Sequence, residues 1–377
     1  MKKIILSILT LGLAFSMVGC EKEPEVVVVP QVEKSEIEVE EEAAEEVEVE
    51  EVEEEVAVPV PEGMYRSELT NEIISKDIEN QRPIAAMVDN DARALPHYGL
   101  TDADIIYELM NSTANGRITR FMVVVKDWDK IEQLGSIRSV RPTNIMLASE
   151  YNAVLCHDGG PFYINDWIAK PYIDNFSGTF ARISNGKPRE FTEYIATGDV
   201  EKNFKNHSLS TEYNEYYKGA HFKFADENNE IVFDEADSQP ATSVKLPFKN
   251  NQSYLEYDEE TGLYMYGEHG GPHLDAGNDN KQLAFKNVLI QECTFSQLDE
   301  NGYMIFNAIS NSSLDGYYLT NGRAIPVTWN KIADDALSGE HAITTFYDSD
   351  GNEITVNTGK SYIALVPDDD WSNLSIK

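Results

Sequence analysis

Basic residues are scarce in this chain. Lysine and arginine number 30 against 66 aspartates and glutamates among 377 residues, a formal net charge of −36. Such a surface repels nucleic acid and anionic lipid headgroups, so no nucleic-acid partner is expected. Cysteine is nearly absent, at three residues, and the fold cannot rest on a disulfide framework. There is no G-x-S-x-G, no cysteine in a catalytic setting and no internal repeat of fixed period. A phosphate loop is also missing. Asn357-Thr358-Gly359-Lys360-Ser361 imitates one, but Ile354 stands where the first glycine belongs, and the following residues read as a strand rather than a helix. No cofactor is expected.

What is present begins at the N-terminus. Lys2 and Lys3 precede an apolar run from Ile4 to Val18, too short for a bilayer span and typical of a signal-peptide core. It ends Met17-Val18-Gly19-Cys20, which resembles a bacterial lipobox in which the cysteine is acylated. Residues 1–19 are then a lipoprotein signal peptide, and Cys20 is the lipidated residue that anchors the chain. Residues 20–61 form a spacer of glutamate, valine and proline. The tract 21–61 carries 17 acids and 2 lysines and no aromatic residue. It cannot bury a core, and self-repulsion extends it. The expected location is the outer, extracytoplasmic face of the cell membrane.

The remaining body is long enough to bury a core without disulfides, so Cys156 and Cys293, both in apolar runs, are read as buried thiols. Strand and helix patterns alternate over 62–222. Strands are expected at 82–88, 118–125, 135–139 and 153–156. Helices are expected from Thr101 to Met110, from Pro142 to about Tyr151, over 161–170 and over about 188–203. This predicts an α/β first domain with a mixed or mostly parallel sheet. From 223 to 377 the pattern turns to strands punctuated by Asn228-Asn229, Asp258 to Gly262, Asn301-Gly302, Asn321-Gly322 and Asp350-Gly351, all hairpin signals. The second domain is expected to be smaller and β-rich, α+β in class.

Several stretches resemble successive motifs of the YerB-type lipoproteins. They include RPIAAMVDN at 82–90, GLTDADIIYE at 99–108, ITRF at 118–121, SIRSVRP at 136–142 and His157-Asp158-Gly159-Gly160. The second half continues with GGPHLD at 270–275, NVLIQ at 287–291, DGYYLTNGRAIPVTW at 315–329 and FYDSDGNEITVNTGKSYIALVP at 346–367. The resemblance covers about residues 66–368. It implies a two-part domain of unknown function on an envelope lipoprotein, mostly of Gram-positive bacteria, and names no reaction. Where the family commonly carries a Pro-His-Asn-like motif, this chain reads Lys187-Pro188-Arg189-Glu190-Phe191.

Chemistry is expected where polar residues interrupt apolar runs of the first half. Asp89 and Asn90 follow a strand, and Glu108 is assigned to a helix. Arg120 lies inside a strand, Arg138 and Arg141 precede a helix, and His157 and Asp158 end a strand. In an open α/β sheet such groups converge on one crevice. Arginines at a helix N-terminus oppose the helix dipole, which calls for a compensating anion. That anion is either internal, in a structural network, or an external carboxylate or phosphate. His269-x-x-x-His273-x-Asp275 has metal-like spacing, but Gly270, Gly271 and Pro272 forbid a helix there, so solvated turn histidines are expected instead. Tyr163, Trp167, Tyr172 and Phe176 read either as a core face or as a groove for glycan or peptide. The functional expectation is an envelope module binding a wall component or another envelope protein. The alternative is a hydrolase or transferase on wall polymers using Asp89, Glu108 or His157 as acid or base.

Overall fold

The computed structural model describes residues 59–226, 229–308, 310–332 and 339–377. The leader 1–19, Cys20, the acidic spacer as far as residue 58, and Asn228 of the first expected hairpin lie outside the described residues. Five strands of the first half enter the main sheet: β1 (Ile84–Asp89), β2 (Ile105–Met110), β3 (Thr119–Val125), β4 (Val154–His157) and β5 (Asn175–Ser177). Three α-helices occur among the described residues: α1 (Pro142–Glu150), α2 (Asn165–Ile168) and α3 (Asp199–His207). The second half supplies β6 (Gln239–Pro240), β7 (Ser243–Lys245), β8 (Tyr254–Asp258), β9 (Leu263–Glu268), β10 (Asn287–Cys293), β11 (Ser310–Thr320), β12 (Arg323–Lys331), β13 (Thr345–Tyr347) and β14 (Ser361–Pro367).

The main sheet has eleven strands in the order β6–β12–β11–β10–β14–β2–β3–β1–β4–β5, with β13 beside β12. It is mixed. β14 is the seam, lying parallel to β2 on one side (Ile363 opposite Tyr107) and parallel to β10 on the other (Ile363 opposite Leu289). Strands from both halves therefore share one hydrogen-bonded sheet. A six-stranded sheet built on β7, β8 and β9 covers one face, where Val244, Leu255, Tyr264 and Tyr266 cluster with Val88, Ile106, Phe121 and Tyr362. Helix α1 covers the other, where Ile145, Leu147 and Ala148 cluster with Met87, Leu109 and Met122.

The α/β expectation is corrected in one respect: the architecture is mostly β, with mixed sheets and few helices. The segment expected as a helix from Thr101 to Met110 is a short 3-10 turn (Leu100–Asp102) followed by strand β2. Every residue of β2 is buried. A strand covered on both faces shows a continuous apolar run with no alternation, and such a run cannot be told from a buried helix by pattern. The stretch 188–203 is likewise broken into a 3-10 turn (Arg189–Phe191), a strand (Glu193–Ala196) and the start of α3. The hairpin reading of the second half fares better. Asn321 and Gly322 both take positive φ, 50° and 72°, between β11 and β12, which is the backbone a two-residue hairpin turn requires.

Candidate functional site

The expected crevice is split in two by the pleat of the sheet. Asp89 of β1 lies opposite Arg120 of β3, and Arg120 lies opposite Leu109 of β2. Glu108 is one residue earlier in β2 and so points to the other face. Asp89 and Arg120 belong to the α1 face, and Glu108 to the face covered by the second sheet.

On the α1 face Asp89 is the hub. Its Oδ2 accepts from Arg138 Nε at 2.6 Å and from Arg120 Nη2 at 3.4 Å. Arg120 also donates to the Ser139 carbonyl (2.6 Å) and to Asn111 Oδ1 (3.1 Å). Burial pushes the Arg120 guanidinium down to about 9, against the pull of Asp89 and with the repulsion of Arg141 and Arg138. Arg138 has a second, longer contact with half-exposed Glu190 at 3.5 Å. Its backbone is held by Met87 and Asp158, because the Arg138 N–H donates to the Met87 carbonyl and the Asp158 N–H to the Arg138 carbonyl. Arg141 differs from its neighbours. It is buried, at 4% exposure, and stacks on the Tyr303 ring at 3.9 Å. It donates to the Val140 carbonyl and the Ser139 hydroxyl, its Nε has no partner, and no carboxylate pairs with it among the described residues.

The side chains of His157 and Asp158 stand apart from this network. Buried His157 sets its ring nitrogens against the Gly159 carbonyl (2.8 Å) and the Asn175 side-chain amide (3.2 Å), and burial lowers its pKa. Asp158 pairs with Arg182, which also holds Glu193 at 2.7 Å. The aromatic set resolves mainly as core. Tyr172 is buried, with Tyr163 and Trp167 packed against its cluster, while Phe176 is buried in the cluster on the other face of the main sheet.

On the opposite face Glu108 is fully buried within a polar network that joins the two halves. Its Oε1 accepts from Asn251 Nδ2 (2.6 Å), Thr119 (2.9 Å) and Asn90 (3.2 Å). Its Oε2 accepts from Tyr362 (2.5 Å) and Tyr266 (2.9 Å). A second carboxylate, Glu268 at the end of β9, shares two of these donors, Asn251 (2.9 Å) and Tyr266 (3.3 Å). Burial, then the nearby Glu268 charge, raises the Glu108 pKa. Burial alone would raise Glu268 too, but its hydrogen bond to His273 and the charge of that imidazole hold it below the usual range.

His273 Nδ1 lies 2.8 Å from Glu268 Oε1, and its Nε2 lies 3.3 Å from His97 Nδ1. His269 sits with Gly270 in the turn joining Glu268 to Gly271, both at positive φ, so the i, i+4 histidines lie on a hairpin and not on a helix. Asp275 leaves the set: its carboxylate accepts from the Gly99, Thr101 and Gly277 N–H groups and the Thr101 hydroxyl, pinning a loop. Pattern reading did not select His97, Asn251, Tyr266, Glu268 or Tyr362. The signal it could have used is Tyr264, Tyr266 and Glu268 at period two on β9, a buried aromatic face ending in an acid.

The family described as "Protein of unknown function (DUF3048)" matches the chain twice, its N-terminal domain over residues 69–210 and its C-terminal domain over 244–363. Together these cover more than half of the chain, which belongs to this family. A Bacillus subtilis (strain 168) protein named as a lipoprotein, YerB, is 25% identical over 335 residues, spanning 85% of this chain and 91% of that protein. The crystal structure of YerB protein from Bacillus subtilis superposes with a TM-score of 0.69 at 21% identity, over 83% of this chain and 99% of that one. That likeness establishes the shared fold. No helix among the described residues is long and apolar enough to cross a membrane.

Proposed function

We propose that this protein is an extracytoplasmic binding module, held at the membrane by lipidated Cys20 and set off from it by the acidic spacer. It takes up an anionic group of a wall component or of another envelope protein at Arg138 and Arg141. The observation that carries the reading is Arg141, a buried guanidinium with an unpartnered Nε and no paired carboxylate among the described residues. Burying a charge without a counter-charge is costly. Next to it, Arg120 and Arg138 share the one buried carboxylate of Asp89. Arg141 also directly precedes α1, where the helix dipole favours an anion over a cation. Phe162 is 84% exposed, next in sequence to Tyr163, and offers an apolar surface to a sugar or peptide. Named as a lipoprotein, the Bacillus subtilis relative supports the anchoring part of the reading.

The test is a binding titration of inorganic phosphate, carboxylated glycans and wall fragments against the wild type and against Arg138→Ala with Arg141→Ala. Saturable binding that disappears in the double variant is expected. Equal behaviour of the two proteins overturns the proposal. Turnover of labelled peptidoglycan that is lost in Asp89→Asn would favour a hydrolase or transferase over a binding module.

A further inference from the structure

We infer that the buried cluster between the two sheets is a transition-metal site, with His97, His273 and Glu268 as its imidazole and carboxylate groups. It lies on the opposite face of the main sheet from Asp89 and Arg120, and does not depend on the anion-binding proposal.

Geometry is the first support. Each of the three residues offers a ligand atom, and these atoms all lie within 4.8 Å of one another. The nitrogens of His97 and His273 are 3.3 Å apart. A tetrahedral centre with metal–nitrogen bonds of about 2.0–2.1 Å has ligand atoms roughly 3.3 Å apart along each edge. On the far side of its ring His273 meets the Glu268 carboxylate at 2.8 Å. This is the arrangement in which a carboxylate fixes the tautomer and orientation of a metal-binding histidine. Two imidazole nitrogens, one of them backed by a carboxylate, suit zinc and its neighbours rather than magnesium or calcium.

The charge balance is the second and independent support. Glu108 and Glu268 are both buried and share Asn251 and Tyr266 as donors. Among the described residues no lysine or arginine pairs with either. The ionic contacts of Glu268 are with histidines, and Glu108 has none. Two carboxylates enclosed with no cationic partner other than histidine leave a negative charge that a divalent cation would offset.

The third support is rigidity. The His97 carbonyl accepts from the Ala276 N–H, and Lys187 Nζ holds the carbonyls of Ala94 and Leu95 at 2.6 Å each. The His273 N–H donates to the Tyr266 carbonyl, and its own carbonyl accepts from the Leu283 N–H. Both imidazoles thus sit on backbone held in place by hydrogen bonds. Close to the site runs an open cavity of about 890 Å³ lined in part by Gln252, Ser253 and Gly270.

The experiment uses the full-length chain in detergent, stripped with chelator and titrated with Zn²⁺ by calorimetry and with Co²⁺ by absorption. One equivalent of each ion is expected. His97→Gln and His273→Gln should abolish uptake, and Glu268→Gln should weaken it ten- to hundredfold. His207→Gln, on the exposed end of α3, should leave it unchanged. X-ray absorption on the zinc-loaded wild type should show two imidazoles, a readout that needs no variant to fold. Failure of the wild type to bind either ion saturably, or a zinc shell without imidazole, overturns the inference.

Discussion

Asn251 Nδ2 donates to Glu108 Oε1 across 2.6 Å, joining the second half of the chain to the first at a point where both residues are fully buried. The same amide reaches Glu268 Oε2 at 2.9 Å. One side chain thus satisfies two carboxylates that would otherwise face each other with fewer donors. Asn251→Ala is expected to destabilise the protein by about 3 kcal/mol, because the acceptors it leaves are buried and charged. Asn251→Asp should cost more, since it brings in a third carboxylate. Urea unfolding of the three proteins at neutral pH measures both effects.

Asp89 holds Arg120 and Arg138 in place while reducing their attraction for anything else. Asp89→Asn should therefore act in opposite directions on stability and on binding. Loss of the buried charge destabilises by about 3 kcal/mol, since Arg120 is left uncompensated. On the binding proposal, phosphate affinity should rise in the same variant. Parallel unfolding and phosphate titrations check this. A fall in both properties would contradict it.

Acid stability should depend on Glu150 at the end of α1. Its carboxylate, fully buried, meets Lys331 at 2.6 Å, His221 at 2.7 Å and Thr344 through both N–H and hydroxyl. Burial would raise its pKa, but the Lys331 charge and the His221 hydrogen bond win and bring it to about 2. A folded-state pKa below the unfolded one gives stability that is present above the usual glutamate range and is lost as pH falls toward 2. At about 1.4 kcal/mol per unit this amounts to about 3 kcal/mol. In Glu150→Gln that part of the acid dependence should vanish, with a loss of about 3–5 kcal/mol already present at neutral pH. Unfolding free energies measured from pH 7 to pH 3 for both proteins decide the point.

Cys156 and Cys293 are free, fully buried thiols, and burial raises the pKa of both. A thiolate-selective reagent should label neither in the native protein and both in urea. Rapid native labelling at either position would show that the strand carrying it opens locally.

Much of the fold was legible along the chain because it depends on neighbours in sequence. The β1 and β3 strands announce themselves by short β-branched and apolar runs, α1 by Pro142, and the β11–β12 hairpin by Asn321-Gly322. The lipobox-like Met17-Val18-Gly19-Cys20 and the acidic tract are read from composition and local order alone, and as far as residue 58 they lie outside the described residues. The β2 strand was misread because burial on both faces erases the period of two that distinguishes a strand. The candidate site was legible only in part. Asp89, Arg120 and Arg138 do meet, but Glu108 faces away from them, since one residue of offset in a strand reverses the side chain. What the sequence determined by itself was the local vocabulary: which segments turn, which extend and where charge interrupts apolar surface. Only the tertiary structure decided that β14, more than 250 residues after β2, would lie beside it, because strand pairing over that distance is set by the packing of whole faces. That pairing, and the sheet laid over it, are what bring His97, Glu108, Asn251, Glu268 and His273 into one buried cluster.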